Sequence, residues 1–513
     1  MYHRMGQGAL YKRRFQYRKK VEHMMNLIKE ECSKVYTENG DTAYGTTCNA
    51  NLDFFGLSGA MRQNQFKMLK LFHQAYAEDP TLAVKNLFYL RDIKHGMGER
   101  QSFRTCFHDL CKTNPKIATQ MLPYIPDYGR YDDLMEALST PVQENMTTWV
   151  QNQLQKDLKA HELKHPVSLL TKWLPSANAS NKMTRKQGRQ IAKALNMTQQ
   201  QYRKTLSLLR RDLHILENDL RQKDYSFPYS GVPAGAMHKY NRAFLRNDEE
   251  RFNTYLEDVK KRKTMVHADT LYPYQIVHPF YRGTLSQAQK DLIQAQWDAL
   301  SKTTSASKTI VVRDGSGSMY GGFGSILPIE IATSLSILFA SQLTGPFHNC
   351  FITFSSRPQF VQLQSESLIG QLQETRLYND ISNTNIQAVY DLLLSVVDRP
   401  DFDPEDMVDR IVIISDMEFD CDVRGVPTYE TFRDKFAKKG LKLPEIVYWN
   451  VQARNTHFAA STREPNIRFV SGSSQHTIDL ILQGDPVDSA EELMYKALKP
   501  YDFVDSFFVD KEA

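Results

Sequence analysis

The stretch VVRDGSGSMYGG, residues 311–322, changes from apolar to small and polar within a few residues. A β-branched run ends at Asp314, and Ser316 and Ser318 follow it, separated by glycines. Glycine lets the backbone approach an ion closely, and serine hydroxyls coordinate a cation without adding charge. Asp314, Ser316 and Ser318 are therefore candidate ligands for a hard cation at the end of a strand.

The sequence around this stretch alternates strand-like and helix-like segments from about residue 308 onward. KTIVV, NCFITFSS, PQFVQL, DRIVIISDM and EIVYWNV are typical of strands, whereas LPIEIATSLSILFASQL and NIQAVYDLLLSVV have helical spacing. Strands that are apolar on both faces and alternate with helices predict a mainly parallel sheet covered by helices. We therefore expect an α/β doubly wound domain over 308–513, preceded by a polar linker over 286–307 that ends within the polar stretch SKTTSASKT.

Two later segments offer further oxygen ligands at the same edge of the predicted sheet. DISNTN, residues 380–385, comes just before a helix, and SD follows the strand RIVII. In a doubly wound sheet, ligands bind outside the carboxyl ends of the strands. The hard oxygen donors of these loops favour Mg²⁺, or another divalent cation such as Mn²⁺. The predicted metal ligands are Asp314, Ser316, Ser318, Thr384 and Asp416, with Ser382 as the alternative to Thr384.

The region before the sheet is predicted to be helical. Apolar residues recur at intervals of three and four in KMLKLFHQAYAED and TLAVKNLFYLRDI, and proline and glycine mark the breaks. We expect residues 51–285 to form short helices stacked in pairs, as in a solenoid. Residues 1–50 are expected to form a basic arm with a helix over 20–36. Their composition favours an electrostatic arm over a mitochondrial presequence.

A local excess of positive charge lies inside the predicted helical region. Residues 174–211 contain no Asp or Glu, although the whole chain has a formal net charge of only +5. Such a block can supply phosphate contacts to a nucleic acid, but a charge run is also typical of a solvated helix face. The candidate RNA-binding cations are Lys182, Arg185, Lys186, Arg189, Arg203, Lys204, Arg210 and Arg211, and Lys193 belongs to the same basic block. Trp173, Tyr202, Tyr225 and Tyr229 are candidates for base stacking, although core packing is the commoner role of such residues.

DGSGSM, a later threonine loop and SD after an apolar strand resemble the metal-ion-dependent adhesion site of von Willebrand factor A domains. The resemblance implies that the three loops bind the cation directly or through water. It also implies that an open coordination position accepts a carboxylate from a partner protein. Arg313 departs from the family, which usually has an apolar residue there. Asp420 and Asp422 are expected to add compensating negative charge.

RDIKHGMGER, PYIPDYGRYDDL and YRKTLSLLRR resemble the Ro-like subgroup of the TROVE family, as does the order of helical array and sheet domain. The resemblance implies a HEAT-like array that closes into a ring fastened by the A domain. The implied partner is structured or misfolded non-coding RNA with single-stranded ends. The expected function is that of a scaffold in RNA quality control or processing, within a ribonucleoprotein.

One alternative is a Mg²⁺-dependent protein-interaction adaptor with no RNA role. An enzyme is not expected, because no HExxH, GxSxG or P-loop motif occurs, and an unrecognised nuclease is the least favoured interpretation. Six cysteines without CxxC spacing favour a reducing, cytoplasmic setting. No apolar run is long enough to span a bilayer, so no membrane partner is expected.

Overall fold

The computed structural model describes residues 24, 28–29, 31–300, 303–321, 326–379, 384–419, 428–461, 466–483 and 489–509. A mainly helical N-terminal region precedes a C-terminal mixed-sheet domain, which confirms the coarse fold class expected from the sequence. The predicted basic arm of residues 1–23 lies outside the described residues, as do Ser382, Asp420 and Asp422.

The N-terminal region begins with a hairpin of β1 (Lys34–Tyr36) and β2 (Thr42–Tyr44) and continues as helices. Those described are α1 (Ala50–Leu57), α2 (Gln65–Glu78), α3 (Pro80–Arg91), α4 (Arg100–Thr113), α5 (Pro115–Met121), α6 (Ile125–Tyr128), α7 (Gln143–Glu162), α8 (Leu170–Trp173), α9 (Lys182–Ala194), α10 (Gln199–Asp212), α11 (Leu216–Gln222), α12 (Ala234–Asn247), α13 (Glu249–Lys260), α14 (Pro273–Arg282) and α15 (Gln287–Asp298).

Capping residues set several of these helix starts. The side chain of Asp79 accepts a hydrogen bond from the Leu82 amide at the start of α3, and Asn114 does the same for Ile117 in α5. Proline follows each of these caps, where its fixed φ suits the first helical position. Pro80 and Pro115 therefore mark helix starts.

The C-terminal sheet consists of β3 (Thr309–Asp314), β4 (Cys350–Phe354), β5 (Phe360–Gln362), β6 (Arg410–Ser415), β7 (Glu445–Asn450) and β8 (Ile467–Ser471). The strand order is β5-β4-β3-β6-β7-β8, and neighbours are parallel except for the antiparallel pair β4–β5. The helices of this domain are α16 (Pro328–Gln342), α17 (Leu368–Leu377), α18 (Ile386–Leu394), α19 (Thr428–Lys438), α20 (His476–Gln483) and α21 (Ala490–Leu498).

The strand order fixes where a binding site can form. The chain enters the sheet at its centre with β3, runs outward to β4 and β5, and then returns to the other side of β3 as β6. The order therefore reverses between β3 and β6, and loops at the carboxyl ends of these two strands separate to leave a crevice. This places Asp314 and Asp416 at the same edge of the sheet.

Two local expectations need correction. The predicted linker contains helix α15, because Ser286 and Gln289 form a capping box and Leu292, Ile293 and Trp297 are buried. The predicted helix over 20–36 lies partly outside the described residues, and its last three residues form β1, which pairs with β2. In addition, β8 lies in a segment for which no strand was predicted.

Both ends of the helical region pack on the sheet domain. At the N-terminal end, α1 packs on β8 and α21, and α3 packs on the 3₁₀ segment Lys499–Phe507. At the C-terminal end, α14 packs on α16 and α15 packs on α17. The two ends also meet each other, since the Arg62 guanidinium lies over the ring of Tyr274 at 5.8 Å. The helical region thus runs out from the sheet domain and back to it.

The RDIKHGMGER motif lies at this junction. Gly98 has a φ of +67°, and a Cβ there would overlap the Tyr272 hydroxyl. The next residue, Glu99, is paired with Arg62 at 2.7 Å, whereas Asp92 accepts a 2.9 Å hydrogen bond from the Tyr501 hydroxyl. The motif therefore serves to join the ends of the helical region to each other and to the C-terminal segment.

Candidate metal centre and basic helix pair

Asp314 lies at the carboxyl end of β3 and is fully buried. One carboxylate oxygen accepts a 2.9 Å hydrogen bond from the Ser316 amide, and the other accepts a 2.6 Å hydrogen bond from the Ser415 hydroxyl. The hydroxyls of Ser316 and Ser318 are 3.0 Å apart. The loop after β3 therefore directs three oxygen side chains into one small volume.

Asp416 follows β6 and approaches this loop from the neighbouring strand. Its carboxylate hydrogen-bonds the Ser318 side chain, and its Oδ1 accepts from the Glu418 amide at 3.4 Å. The Thr384 hydroxyl donates to the Glu418 carbonyl at 3.3 Å. The structure therefore brings all five predicted ligands into one chain of contacts, with Thr384 attached through the backbone of the β6 loop.

Burial and like charge both act on the two aspartates. Burial, followed by the nearby charge of Asp416, raises the pKa of Asp314 to about 7. Burial also raises the pKa of Asp416, and the guanidinium of Arg454 opposes that effect. Two buried carboxylates beside three hydroxyls are a donor set that fits a hard divalent cation.

The types of ligand atom in this centre indicate which cations it could bind. Within the described residues, no group of three or more His, Cys, Asp and Glu side chains is arranged to hold a metal. A cation bound here would rely on hydroxyl and water oxygens besides the two carboxylates. Such oxygen-only donor sets suit Mg²⁺ and Mn²⁺ rather than Zn²⁺.

Arg313 forms its hydrogen bonds outside this centre. Its guanidinium donates to the Thr333 hydroxyl at 3.1 Å, to the Tyr378 carbonyl at 3.1 Å and to the Asn379 side chain at 2.9 Å. Successive side chains of a strand point to opposite faces, so Arg313 and Asp314 face different layers. The departure from the A-domain pattern is therefore compatible with a cation at Asp314.

A cation of the chain itself, which sequence reasoning missed, contacts the centre instead. Arg454 Nη2 lies 2.9 Å from Asp416 Oδ2, and Arg454 Nη1 lies 2.8 Å from a carboxylate oxygen of Glu38. Glu38 belongs to the turn of the β1–β2 hairpin, far away in the sequence. No local pattern links these residues, so only the folded chain reveals the contact.

The basic block forms the helix pair α9–α10. The cations Lys182, Lys186, Arg189 and Lys193 recur at helical spacing along one exposed face of α9, and we call them the basic stripe. The opposite face of α9 is buried through Gly188, Ile191 and Ala192. The stripe cations form no ion pair with any described residue.

Helix α10 adds a second exposed basic face. Arg203, Lys204 and Arg211 are exposed and also lack ion pairs within the described part of the chain, whereas Tyr202 and Leu206 are buried. The sequence signal for this division is the same as for α9, namely the helical spacing of cations opposite the apolar residues.

Arg210 does not belong to this exposed surface. Its guanidinium donates to the Thr171 carbonyl at 2.7 Å, the Leu174 carbonyl at 2.8 Å and the Ser176 hydroxyl at 2.8 Å. Burial lowers the pKa of Arg210. The candidate RNA role of Arg210 is therefore corrected to a structural one. Arg185 is half-buried and also turns inward, donating to the Ala179 carbonyl at 3.0 Å.

The aromatic candidates serve packing. Tyr202 is buried and donates to the Pro175 carbonyl at 3.0 Å, and Tyr229 is buried in a small core with α12 and α13. The Trp173 ring already carries the Arg130 guanidinium at 4.1 Å. Tyr225 accepts a 2.8 Å hydrogen bond from Asn247. A ligand at this surface would therefore meet mainly cations.

None of the described helices is both long enough and apolar enough to cross a bilayer.

Comparisons with known proteins match nearly the whole chain. Residues 37–165 and 148–310 match the family model described as Domain of unknown function (DUF2828), and residues 308–505 match Domain of unknown function (DUF7788). The "Uncharacterized protein L728" of Acanthamoeba polyphaga mimivirus is 30% identical over 525 aligned positions, which cover 93% of this chain and 89% of that protein.

A solved structure is also similar over most of its length. The crystal structure of the Deinococcus radiodurans RO (RSR) protein gives a TM-score of 0.48 at 13% identity, covering 89% of this chain and 100% of that one.

Proposed function

This chain belongs to the DUF2828 family, and we propose that it is a Ro-like RNA-binding protein that acts as a scaffold in non-coding RNA quality control or processing. The observation that carries the proposal is the exposed, unpaired basic surface of α9 and α10 in a chain of small net charge. The Ro-like motifs of the sequence supply the RNA class, namely structured RNA with single-stranded ends.

The geometry of the basic stripe suits phosphate contact. Lys182 and Lys193 lie eleven residues apart on α9, and at the helical rise of ~1.5 Å per residue the stripe is about 16 Å long. Cations without protein partners keep their full charge for counterion exchange with a polyanion. Such contacts position RNA without selecting its sequence.

The second part of the proposal is a von Willebrand factor A-like metal site for Mg²⁺ or Mn²⁺. Asp314, Ser316, Ser318, Thr384 and Asp416 would hold the cation. The two buried aspartates support this assignment, since the charged form of each is disfavoured in the absence of a compensating cation. The cation would offer an open position to a carboxylate. We propose no catalytic role for this chain.

The RNA proposal is tested by charge reversal on the stripe. The variant Lys186→Glu, Arg189→Glu, Lys193→Glu should bind an RNA hairpin with a single-stranded tail at least about 100-fold more weakly at moderate salt. Fluorescence anisotropy with the full chain measures this affinity. All three side chains are exposed, so circular dichroism should show an unchanged helix content.

A matched control distinguishes an effect of the basic stripe itself from an effect of the lower net charge of the chain. Lys438, Lys439 and Lys442 are exposed at the end of α19 and beyond it, and their replacement by Glu changes the net charge by the same amount. This control variant should retain the RNA affinity of the parent chain. Equal affinity losses in the two variants, or none in the stripe variant, would contradict the proposed surface.

The second candidate function is a Mg²⁺-dependent adaptor, which the clustered donors at the carboxyl ends of β3 and β6 favour. In that case a protein partner bound in the presence of Mg²⁺ should be released by EDTA and lost in Asp314→Ala. Capture of the same partner after both treatments would exclude this function. RNA binding and partner capture can coexist, because their residues lie in different domains.

A further inference from the structure

The β1–β2 hairpin is docked on the loop that follows β6. The Thr37 hydroxyl donates to the Phe419 carbonyl at 2.6 Å, and the Asn39 side chain donates to the Glu418 carbonyl at 2.7 Å. The Glu38 amide donates to Glu418 Oε2 at 2.8 Å. The hairpin turn therefore lies directly against the loop that carries Asp416.

A second loop joins the same contact. Asn455 donates to Glu418 Oε1 at 3.0 Å and to Glu38 Oε1 at 3.2 Å. Lys67 of α2 donates to the Arg454 carbonyl at 2.8 Å and to the Asn455 side chain at 3.2 Å. The backbone of Arg454 is therefore tied to the helical region, whereas its side chain reaches the proposed metal centre.

The Arg454 guanidinium contacts one carboxylate of the proposed metal centre and one carboxylate of the hairpin turn. The guanidinium forks between Asp416, which is buried, and Glu38, which is about half-exposed. The Arg454 side chain is itself 35% exposed, so it has room to move. The planar guanidinium of Arg454 contacts both carboxylates in a fixed geometry. These contacts weaken if either carboxylate binds another cation instead.

We propose that Arg454 is an internal competitor of the divalent cation for Asp416, and that metal binding thereby loosens the docking of the β1–β2 hairpin. This inference rests on the metal site proposed above. A divalent ion and a guanidinium at the same carboxylate repel each other, so occupancy by one disfavours contact with the other. The coupling is reciprocal: a docked hairpin with its Glu38–Arg454 pair disfavours metal binding.

The experiment is a calorimetric titration of the full-length chain with Mn²⁺. Arg454→Gln removes the competing charge and should bind Mn²⁺ about tenfold more tightly than the parent chain. Arg454→Lys retains the charge and should stay closer to the parent. Arg399→Gln is the matched control, because Arg399 is an exposed arginine paired with Asp401 on the connection that leads into β6.

A second measurement needs no variant. Hydrogen exchange of the Glu38 amide should accelerate when Mg²⁺ is added to the parent chain, because this amide is bonded to the Glu418 side chain in the docked hairpin. Slower or unchanged exchange with saturating Mg²⁺ would overturn the coupling even if Arg454→Gln failed to fold.

The outcomes separate this inference from the function on which it rests. Mn²⁺ binding by the parent chain with equal or weaker binding by Arg454→Gln overturns the competition and leaves the metal site standing. Absence of Mn²⁺ binding in all four proteins overturns both the competition and the metal site. Neither result bears on RNA binding by the basic stripe.

Discussion

The proposed metal centre and the basic helix pair differ in how the chain builds them. The centre is assembled from three separate loops between Asp314 and Asp416 and is buried, with each carboxylate held by several hydrogen bonds. The basic surface comes from two consecutive helices, and its cations face solvent without partners. The first site depends on the tertiary fold, whereas the second depends only on helical spacing and on which cations stay outside.

The largest expected effect concerns the buried site. Asp314→Ala removes the carboxylate at the centre of the contact network, so Mn²⁺ affinity should fall by at least about 100-fold. RNA affinity should stay within about twofold of the parent, because the basic stripe lies in another domain. Calorimetry and anisotropy on the same preparation measure both quantities.

The control for this variant is Asp401→Ala, which removes an exposed aspartate paired with Arg399. This substitution should change neither the Mn²⁺ affinity nor the RNA affinity. A joint loss of metal and RNA binding in Asp314→Ala would mean that the two sites are coupled and do not act independently.

Within α10, the neighbours Arg210 and Arg211 allow a buried structural arginine to be compared with an exposed one. Arg210→Gln leaves two carbonyls and a hydroxyl without their charged donor, so the free energy of unfolding should drop by about 3 kcal/mol. Arg211→Gln should cost less than about 0.5 kcal/mol, because this side chain is exposed.

We expect Arg210→Gln to reduce stability and Arg211→Gln to reduce RNA affinity. Urea denaturation should identify Arg210→Gln as the destabilised variant, whereas RNA titration should identify Arg211→Gln as the weaker binder at low temperature. If both variants lost RNA affinity alone with no loss of stability, Arg210 would have to be returned to the ligand surface.

A smaller effect is expected from pH. Burial raises the pKa of Asp314 to about 7, so below that pH a proton competes with the cation for the carboxylate. Mn²⁺ affinity should fall by about tenfold for each pH unit below 7 and level off above it. Titrations between pH 5.5 and 8.5, both about one and a half units from the pKa, measure the profile. Affinity that is constant across this range would contradict the assignment of Asp314 as a ligand.

Much of the fold follows from local patterns. The uninterrupted apolar runs of β3, β4, β6 and β7 correspond to strands that are buried along their whole length. The spacing of Asp314, Ser316 and Ser318 after β3, with Asp416 after the adjacent β6, was enough to predict one cluster. The side chains at these strand ends lie close together because a parallel sheet brings strand ends together whatever the intervening sequence contains.

The predictions from sequence are wrong or incomplete where tertiary contacts determine the role of a residue or segment. The polar composition of 286–307 suggested a linker, but Leu292 and Trp297 are buried, and their helical spacing was a usable signal. The contact of Arg454 with Glu38 had no such signal, because it joins opposite ends of the chain. The inward turn of Arg210 depends on the Thr171 and Leu174 carbonyls that accept its hydrogen bonds, and no charge pattern reveals these contacts.

The central claim is that the unpaired stripe on α9 contacts RNA phosphates, and the salt dependence of binding tests it most directly. The neutral variant Lys186→Gln, Arg189→Gln, Lys193→Gln and the parent chain should be titrated with tailed RNA at several salt concentrations. Loss of three phosphate contacts should reduce the slope of log affinity against log salt by about 2. Parallel lines for the two proteins would contradict the claim, because the stripe cations would then make no phosphate contact.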